Sequence, residues 1–269
     1  MSEQPLNTKT CNLCDFCFKN CHGLTRWTFK MIPFPNITPE IFSINILGVT
    51  LALRWYAVSY IAGFICALWL MKFFIARKGL WRLGAPPLKS DQADSLLTYL
   101  ILGVIVGGRL GYVLFYNFDY YSANFIEIFQ IWDGGMAFHG GFLGVVIAAI
   151  IYCVVNSISL WSAADLIAIA SPPGLFFGRL ANFINAELWG KPTEVSWGVV
   201  FPGTRAQECL GVVGSCSRHP SQLYEAFLEG ALLLIVLFFL AMIGYFKRPG
   251  AITGVFAAGY GISRFGVEY

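Results

Sequence analysis

Leu51-Ala-Leu-Arg-Trp-Tyr-Ala-Val-Ser-Tyr-Ile-Ala-Gly-Phe-Ile-Cys-Ala-Leu-Trp-Leu-Met-Lys-Phe-Phe-Ile-Ala76 carries only Arg54 and Lys72 as charges. About 20 apolar residues in a helix suffice to cross the hydrocarbon core of a bilayer, so this stretch predicts a spanning helix. Five further apolar stretches follow at Ser95–Tyr116, Gly140–Leu160, Ala163–Ala186, Leu223–Phe246 and Ala251–Tyr269. Composition agrees: 57% of the 269 residues are hydrophobic, 12% are charged, and the mean hydropathy is +0.65. Such a chain has more apolar surface than a water-soluble core can hide, which predicts an all-α polytopic membrane protein with about six transmembrane helices. A net charge of +3, with no Lys/Arg-rich stripe interleaved with aromatics, sets nucleic acid aside as a partner.

Loop charges orient the bundle. Arg77, Lys78, Arg82 and Lys89 crowd the connection after the first span, Lys247 and Arg248 follow the fifth, and the segment from Asn117 to Phe138 has no Lys or Arg. The positive-inside rule therefore starts the first span outside and ends it in the cytoplasm. On that topology Tyr56, His139, Arg179, Asn182, Glu187, His219, Glu225, Tyr260, Arg264 and Glu268 all fall toward the outer side. Polar groups gathered at one depth suggest a site for something resident in one leaflet, such as a lipid headgroup, whereas a transport path distributes them over all depths.

Four polar motifs sit at that outer level. In Gly178-Arg-Leu-Ala-Asn-Phe-Ile-Asn-Ala-Glu-Leu-Trp-Gly190, helical spacing puts Arg179 and Asn182 on one face, where they present a guanidinium and an amide to an anion. The alternative for Arg179 is snorkelling to the interface. Upstream, Ser171-Pro-Pro-Gly174 predicts a broken or re-entrant segment, because consecutive prolines remove backbone donors. The Trp132-Asp-Gly-Gly-Met-Ala-Phe-His-Gly-Gly141 motif offers glycine pairs for a tight path, with His139 either a general base or an interfacial histidine satisfied by carbonyls. In Arg218-His-Pro-Ser-Gln-Leu-Tyr-Glu-Ala226, Ser221 reads as a helix cap, and Gln222, Tyr224 and Glu225 are left open. Tyr260, Arg264 and Glu268 form a helical stripe, read either as an Arg264–Glu268 pair or as a second grip on a phosphate.

These residues, together with Arg54-Trp-Tyr56, Gly107-Gly-Arg-Leu-Gly-Tyr112 and Gly259-Tyr-Gly261, occur in the order found in bacterial prolipoprotein diacylglyceryl transferases, and the chain resembles that family from about Met31 to its last residue. The resemblance implies transfer of the diacylglyceryl group of phosphatidylglycerol to the lipobox cysteine thiol of a prolipoprotein signal peptide, forming a thioether and releasing glycerol 1-phosphate. It implies a multi-pass protein of the bacterial inner membrane, in contact with membrane lipids, with its active site toward the periplasm and a small periplasmic head at Lys191–Pro220. Carried over by position, the resemblance makes His139 the thiol base and Arg179 and Arg264 the phosphate ligands. Tyr56, Asn182, Glu187, Gly190, Tyr260 and Glu268 then complete the phosphatidylglycerol site. No metal or other cofactor is implied. Members of the family usually carry a seventh span, so residues 31–269 are expected to be the transferase domain lacking its last helix.

Residues 1–30 are expected to be a tail from a start mis-assigned upstream of Met31. Within them Cys11, Cys14, Cys17 and Cys21 have the spacing of an iron–sulfur run, but the tail would lie outside, where thiols oxidise. Cys66 and Cys153 read as packing residues, and Cys209 and Cys216, in one outer loop, as a disulfide. The first span reads as a retained anchor rather than a cleaved signal. Two competing classes remain: a carrier for an anionic lipid or solute, and a redox protein built on the N-terminal cysteines.

Overall fold

The structure, a computed structural model, describes residues 31–46, 49–209 and 214–269; the N-terminal cysteine run lies outside the described residues. Five helical segments are long and apolar enough to cross a membrane: α1 (Trp55–Ala76), α2 (Ser90–Tyr116), α3 (Phe138–Val155), the pair α4 and α5 (Leu160–Ala170 and Pro172–Ile184), and α6 (Ser221–Met242). The sixth apolar stretch forms α7 (Ala251–Glu268), equal to α3 in length but too polar, with Arg264 and Glu268 in its last two turns, to join that set.

The first apolar stretch does not begin as a helix. Residues Val49–Arg54 form a strand (β3) paired antiparallel with Glu40–Ile46 (β2), and the helix starts at Trp55. Hydropathy alone does not distinguish the end of a strand from the start of a helix. A second, parallel pair joins Ile32–Pro33 (β1) to Val199–Val200 (β4), so residues N-terminal to the first span share the head with the Lys191–Pro220 segment. Phe34, Phe183 and Phe201 pack ring against ring at 5.4 to 5.9 Å between centroids, fastening this head to the C-terminal end of α5. Cys209 and Cys216 form a disulfide there, as the sequence predicts.

Helices α2 and α3 meet through glycine. A Cβ at Gly103 would lie 2.6 Å from the Gly144 carbonyl oxygen, and one at Gly111 would lie 2.7 Å from the Gly140 Cα, so only bare backbone permits this approach. The α4–α5 junction is a break rather than a re-entrant turn. Ser171 keeps helical angles, its hydroxyl donates to the Ile167 carbonyl (2.8 Å), and Pro172 and Pro173 open α5, where helix donors are orphaned in any case.

The densest apolar core lies in the half toward the α1–α2 and α6–α7 connections. There Trp81 stacks on Phe246 at 4.2 Å, beside Phe74, Leu96, Leu166, Leu237 and Ile252. One carboxylate is buried in that half: Asp165 of α4 accepts from the Gly250 and Thr253 backbone N–H groups (2.7 and 2.8 Å) and from the Thr253 hydroxyl (2.8 Å). It satisfies the orphan donors at the start of α7 from a neighbouring helix.

Candidate functional site

Helix α5 carries Arg179 in its C-terminal half, α7 carries Arg264, and α6, lying against both, carries Glu225 and Glu229. The Arg179 Nε lies 2.8 Å from a Glu225 oxygen, and the Arg264 Nη1 lies 2.5 Å from the other. Glu229 faces both guanidinium groups at 3.6 and 3.8 Å. Two cations and two carboxylates thus form a neutral cluster. Exposure falls through it, from 35% for the Arg264 side chain through 18% for Arg179 and 8% for Glu225 to none for Glu229. Tyr260, one helical turn before Arg264, lies within electrostatic reach of all four.

The cluster forms one wall of a cavity of about 490 Å³, which is also lined by Trp189, Gly190, Lys191, Arg218, Ser221 and Glu268. Four cations against two carboxylates give this lining a positive balance. Gly190 is required by packing: its N–H donates to the His219 carbonyl (2.9 Å), and a Cβ there would come within 3.0 Å of that oxygen and of the His219 Cβ.

A second polar group adjoins the cluster. The Tyr56 hydroxyl donates to the Glu187 carboxylate and accepts from the Asn182 amide, which also donates to Glu187 at 3.0 Å. Burial pushes the Glu187 carboxyl above the usual carboxylate range. Ala186 and Leu188, on either side of it, hold left-handed φ values of 53° and 56°, which are costly for residues with a Cβ. Hydrogen bonds from α6 over-determine that path: the Gln222 amide donates to the Glu187 carbonyl (2.5 Å) and the Ser221 hydroxyl to the Leu188 carbonyl (2.9 Å). Tyr56 and Glu187 line a separate cavity with Arg54 and Asn185.

Several sequence expectations change here. Ser221 does not cap its helix; its hydroxyl is spent on Leu188, and Pro220 occupies the cap position. Arg264 pairs with Glu225 and Glu229 rather than with Glu268, because α6 presents its carboxylates directly to the C-terminal end of α7. His139 begins α3 as an exposed residue, edge-on to Phe138, and lines neither the Arg179 cavity nor the Tyr56 cavity. The structure therefore brings together Arg179, Arg264, Gly190 and Glu268 around one cavity, sets Tyr260 beside the charged cluster but off that cavity's lining, groups Tyr56, Asn182 and Glu187 in an adjoining trio, and keeps His139 apart.

Two residues escaped the sequence reading. Glu229 falls just past the Arg218–Ala226 motif, where the sequence assigns it no role. Arg109, buried to 4% exposure, donates to the carbonyls of Glu127, Ile128, Gly134 and Gly135 at 2.5 to 3.3 Å, fixing the loop that leads to His139. An arginine inside an apolar helix was the available signal.

A helical bundle with five segments fit to cross a membrane and two arginines on the wall of a cationic cavity defines a polytopic membrane protein. The family model described as prolipoprotein diacylglyceryl transferase matches residues 41–269. A phosphatidylglycerol--prolipoprotein diacylglyceryl transferase of Cereibacter sphaeroides is 56% identical over 239 residues, covering 88% of this chain and 82% of the relative. The proteins of that name from Ruegeria pomeroyi (57% over 240 residues, 89% and 81%) and Brucella anthropi (46% over 239 residues, 88% and 80%) are similar over the same region. The chain belongs to the prolipoprotein diacylglyceryl transferase family, which catalyses the first step of lipoprotein maturation, and it is a transferase.

Proposed function

We propose that the protein transfers the diacylglyceryl group of phosphatidylglycerol to the lipobox cysteine thiol of prolipoprotein signal peptides, on the periplasmic side of the bacterial inner membrane. The observation that carries this reading is the Arg179–Arg264 pair on the wall of a cationic cavity at the outer end of the bundle.

The substrate supplies the nucleophile. Its thiolate attacks the glycerol carbon bound to the phosphate oxygen, the carbon–sulfur bond forms as that carbon–oxygen bond breaks, and glycerol 1-phosphate leaves with the bonding electron pair. Arg179 and Arg264 hold the phosphate and stabilise the charge that grows on it, an effect worth about 3 to 4 kcal/mol per well-placed donor. Tyr56, Asn182 and Glu187 orient the headgroup through their shared hydrogen bonds, and Tyr260 and Glu268 flank Arg264. Gly190 keeps the cavity rim close to His219.

His139, the thiol base by family resemblance, stands off both cavities. It therefore takes the proton as the peptide arrives past the exposed start of α3 and before the thiolate reaches the phosphate at the arginine wall.

Purified variants separate the two roles. Arg179→Ala should lose phosphatidylglycerol binding along with turnover. His139→Gln should keep lipid binding while kcat falls by about 10² to 10⁴. Near-normal turnover in His139→Gln would transfer thiolate formation to the arginine field, and full lipid binding by Arg179→Ala would remove the arginine assignment.

A further inference from the structure

Glu225 and Glu229 face the same two arginines in different ways. Glu225 lies at hydrogen-bonding distance from both guanidinium groups and lines the cavity. Glu229 lies behind it with no exposed surface, outside the cavity lining, and faces the two guanidinium groups at 3.6 and 3.8 Å, longer than the Glu225 contacts. A fully buried carboxylate is costly, and the charges of Arg179 and Arg264 are what offset that cost.

Local winding puts Glu229 in this position. Residues Ala226–Leu232 form a π-helix, whose wider i→i+5 turn interrupts α6 at the cluster. Gly230 then meets Phe176 of α5 so closely that a Cβ would fall 2.6 Å from the Phe176 Cβ. That contact presses α5, and Arg179 one turn further along it, against the Glu229 level.

We propose that Glu229 is a positioning residue for the transfer: a fixed buried counter-charge that keeps Arg179 and Arg264 aligned when an incoming phosphate displaces their ion pairs with Glu225. This rests on the reading of the two arginines as phosphate ligands. Glu225 is the exchangeable partner, because it shares the cavity wall with the guanidinium groups. Glu229 cannot be reached by the phosphate and holds the pair from behind throughout the cycle.

The consequence is a split in kinetic constants. Glu229→Gln keeps the side-chain shape but removes one negative charge, leaving the cavity more cationic and the arginines less constrained. KM for phosphatidylglycerol should fall severalfold, while kcat falls about tenfold to a hundredfold through misplacement of the two donors. A purely structural role would instead lower the folded fraction and leave KM unchanged. Glu229→Asp, which retains the charge one methylene further back, should restore part of kcat with a KM near that of the unsubstituted protein.

The experiment is steady-state transfer to a lipobox peptide from phosphatidylglycerol in mixed micelles, per mole of folded protein, with Arg179→Ala in parallel. Folded Glu229→Gln with both constants unchanged, or with kcat reduced at constant KM, overturns the proposal. Should Glu229→Gln not fold, Glu229→Asp decides: a severalfold lower kcat at constant KM supports the role, and an unchanged kcat removes it. Full lipid binding by Arg179→Ala would instead mark failure of the underlying arginine reading, whatever Glu229 does.

Discussion

Glu187 combines constraints that oppose one another. It accepts from Tyr56 and Asn182, which favours its ionised form, yet burial dominates and raises its carboxyl above the ordinary range. The folded state therefore holds a proton on Glu187 more tightly than the unfolded chain does. The resulting stability is complete below the unfolded value and is lost as pH rises through the folded one, so toward higher pH the buried carboxyl becomes a cost. Glu187→Gln keeps an acceptor for Tyr56 and Asn182 without the charge. Its unfolding temperature in detergent should exceed that of the unsubstituted protein at neutral pH, with the advantage shrinking toward acid, while transfer activity falls. An advantage that grows toward acid would show the sign to be wrong. The variant illustrates the usual tension between a stable site and a working one.

At the scale of elements, the helices join through polar devices set into apolar surfaces. Asp165 is the plainest case, a carboxylate on α4 that serves as the cap of α7. Asp165→Ala should leave the α7 start without its partner and lower stability by about 3 kcal/mol, read as a drop in melting temperature and faster backbone exchange at Gly250 and Thr253. An unchanged melting temperature would mean that water or lipid headgroups satisfy those donors equally well. Hydropathy located the spans because roughly 20 apolar residues have few alternatives in a bilayer. It missed the start of the first helix, since Val49–Arg54 is as apolar as the helix it precedes and its strand character depends on pairing with Glu40–Ile46. The α4–α5 break was readable from Pro172 and Pro173, which act through their own backbone. The role of Asp165 was not, because it depends on which helix lies beside it.

Across the whole molecule, apolar packing is concentrated at one end and the charged cluster at the other, beneath a small head stapled by Phe34, Phe183, Phe201 and the Cys209–Cys216 disulfide. The grouping of Arg179, Asn182, Glu187, Tyr260 and Arg264 at the end of the bundle away from the basic loops was readable from loop charge and helical spacing. The partners of the two arginines were not: spacing leaves Arg264 open between a pair with Glu268 and a grip on phosphate, whereas α6 supplies Glu225 and Glu229 from a distant part of the sequence. Long-range ion pairs leave no periodic trace, so only the assembled bundle reveals them.

The central claim is that this cluster supports transfer of a diacylglyceryl group from phosphatidylglycerol to a cysteine thiol. Mass spectrometry of a lipobox peptide incubated with phosphatidylglycerol and the detergent-solubilised protein, beside Arg179→Ala, tests it most directly. The account predicts a diacylglyceryl mass increase on the peptide cysteine that is absent with Arg179→Ala. An unmodified peptide despite folded protein that binds the lipid, or equal modification by both proteins, would contradict it.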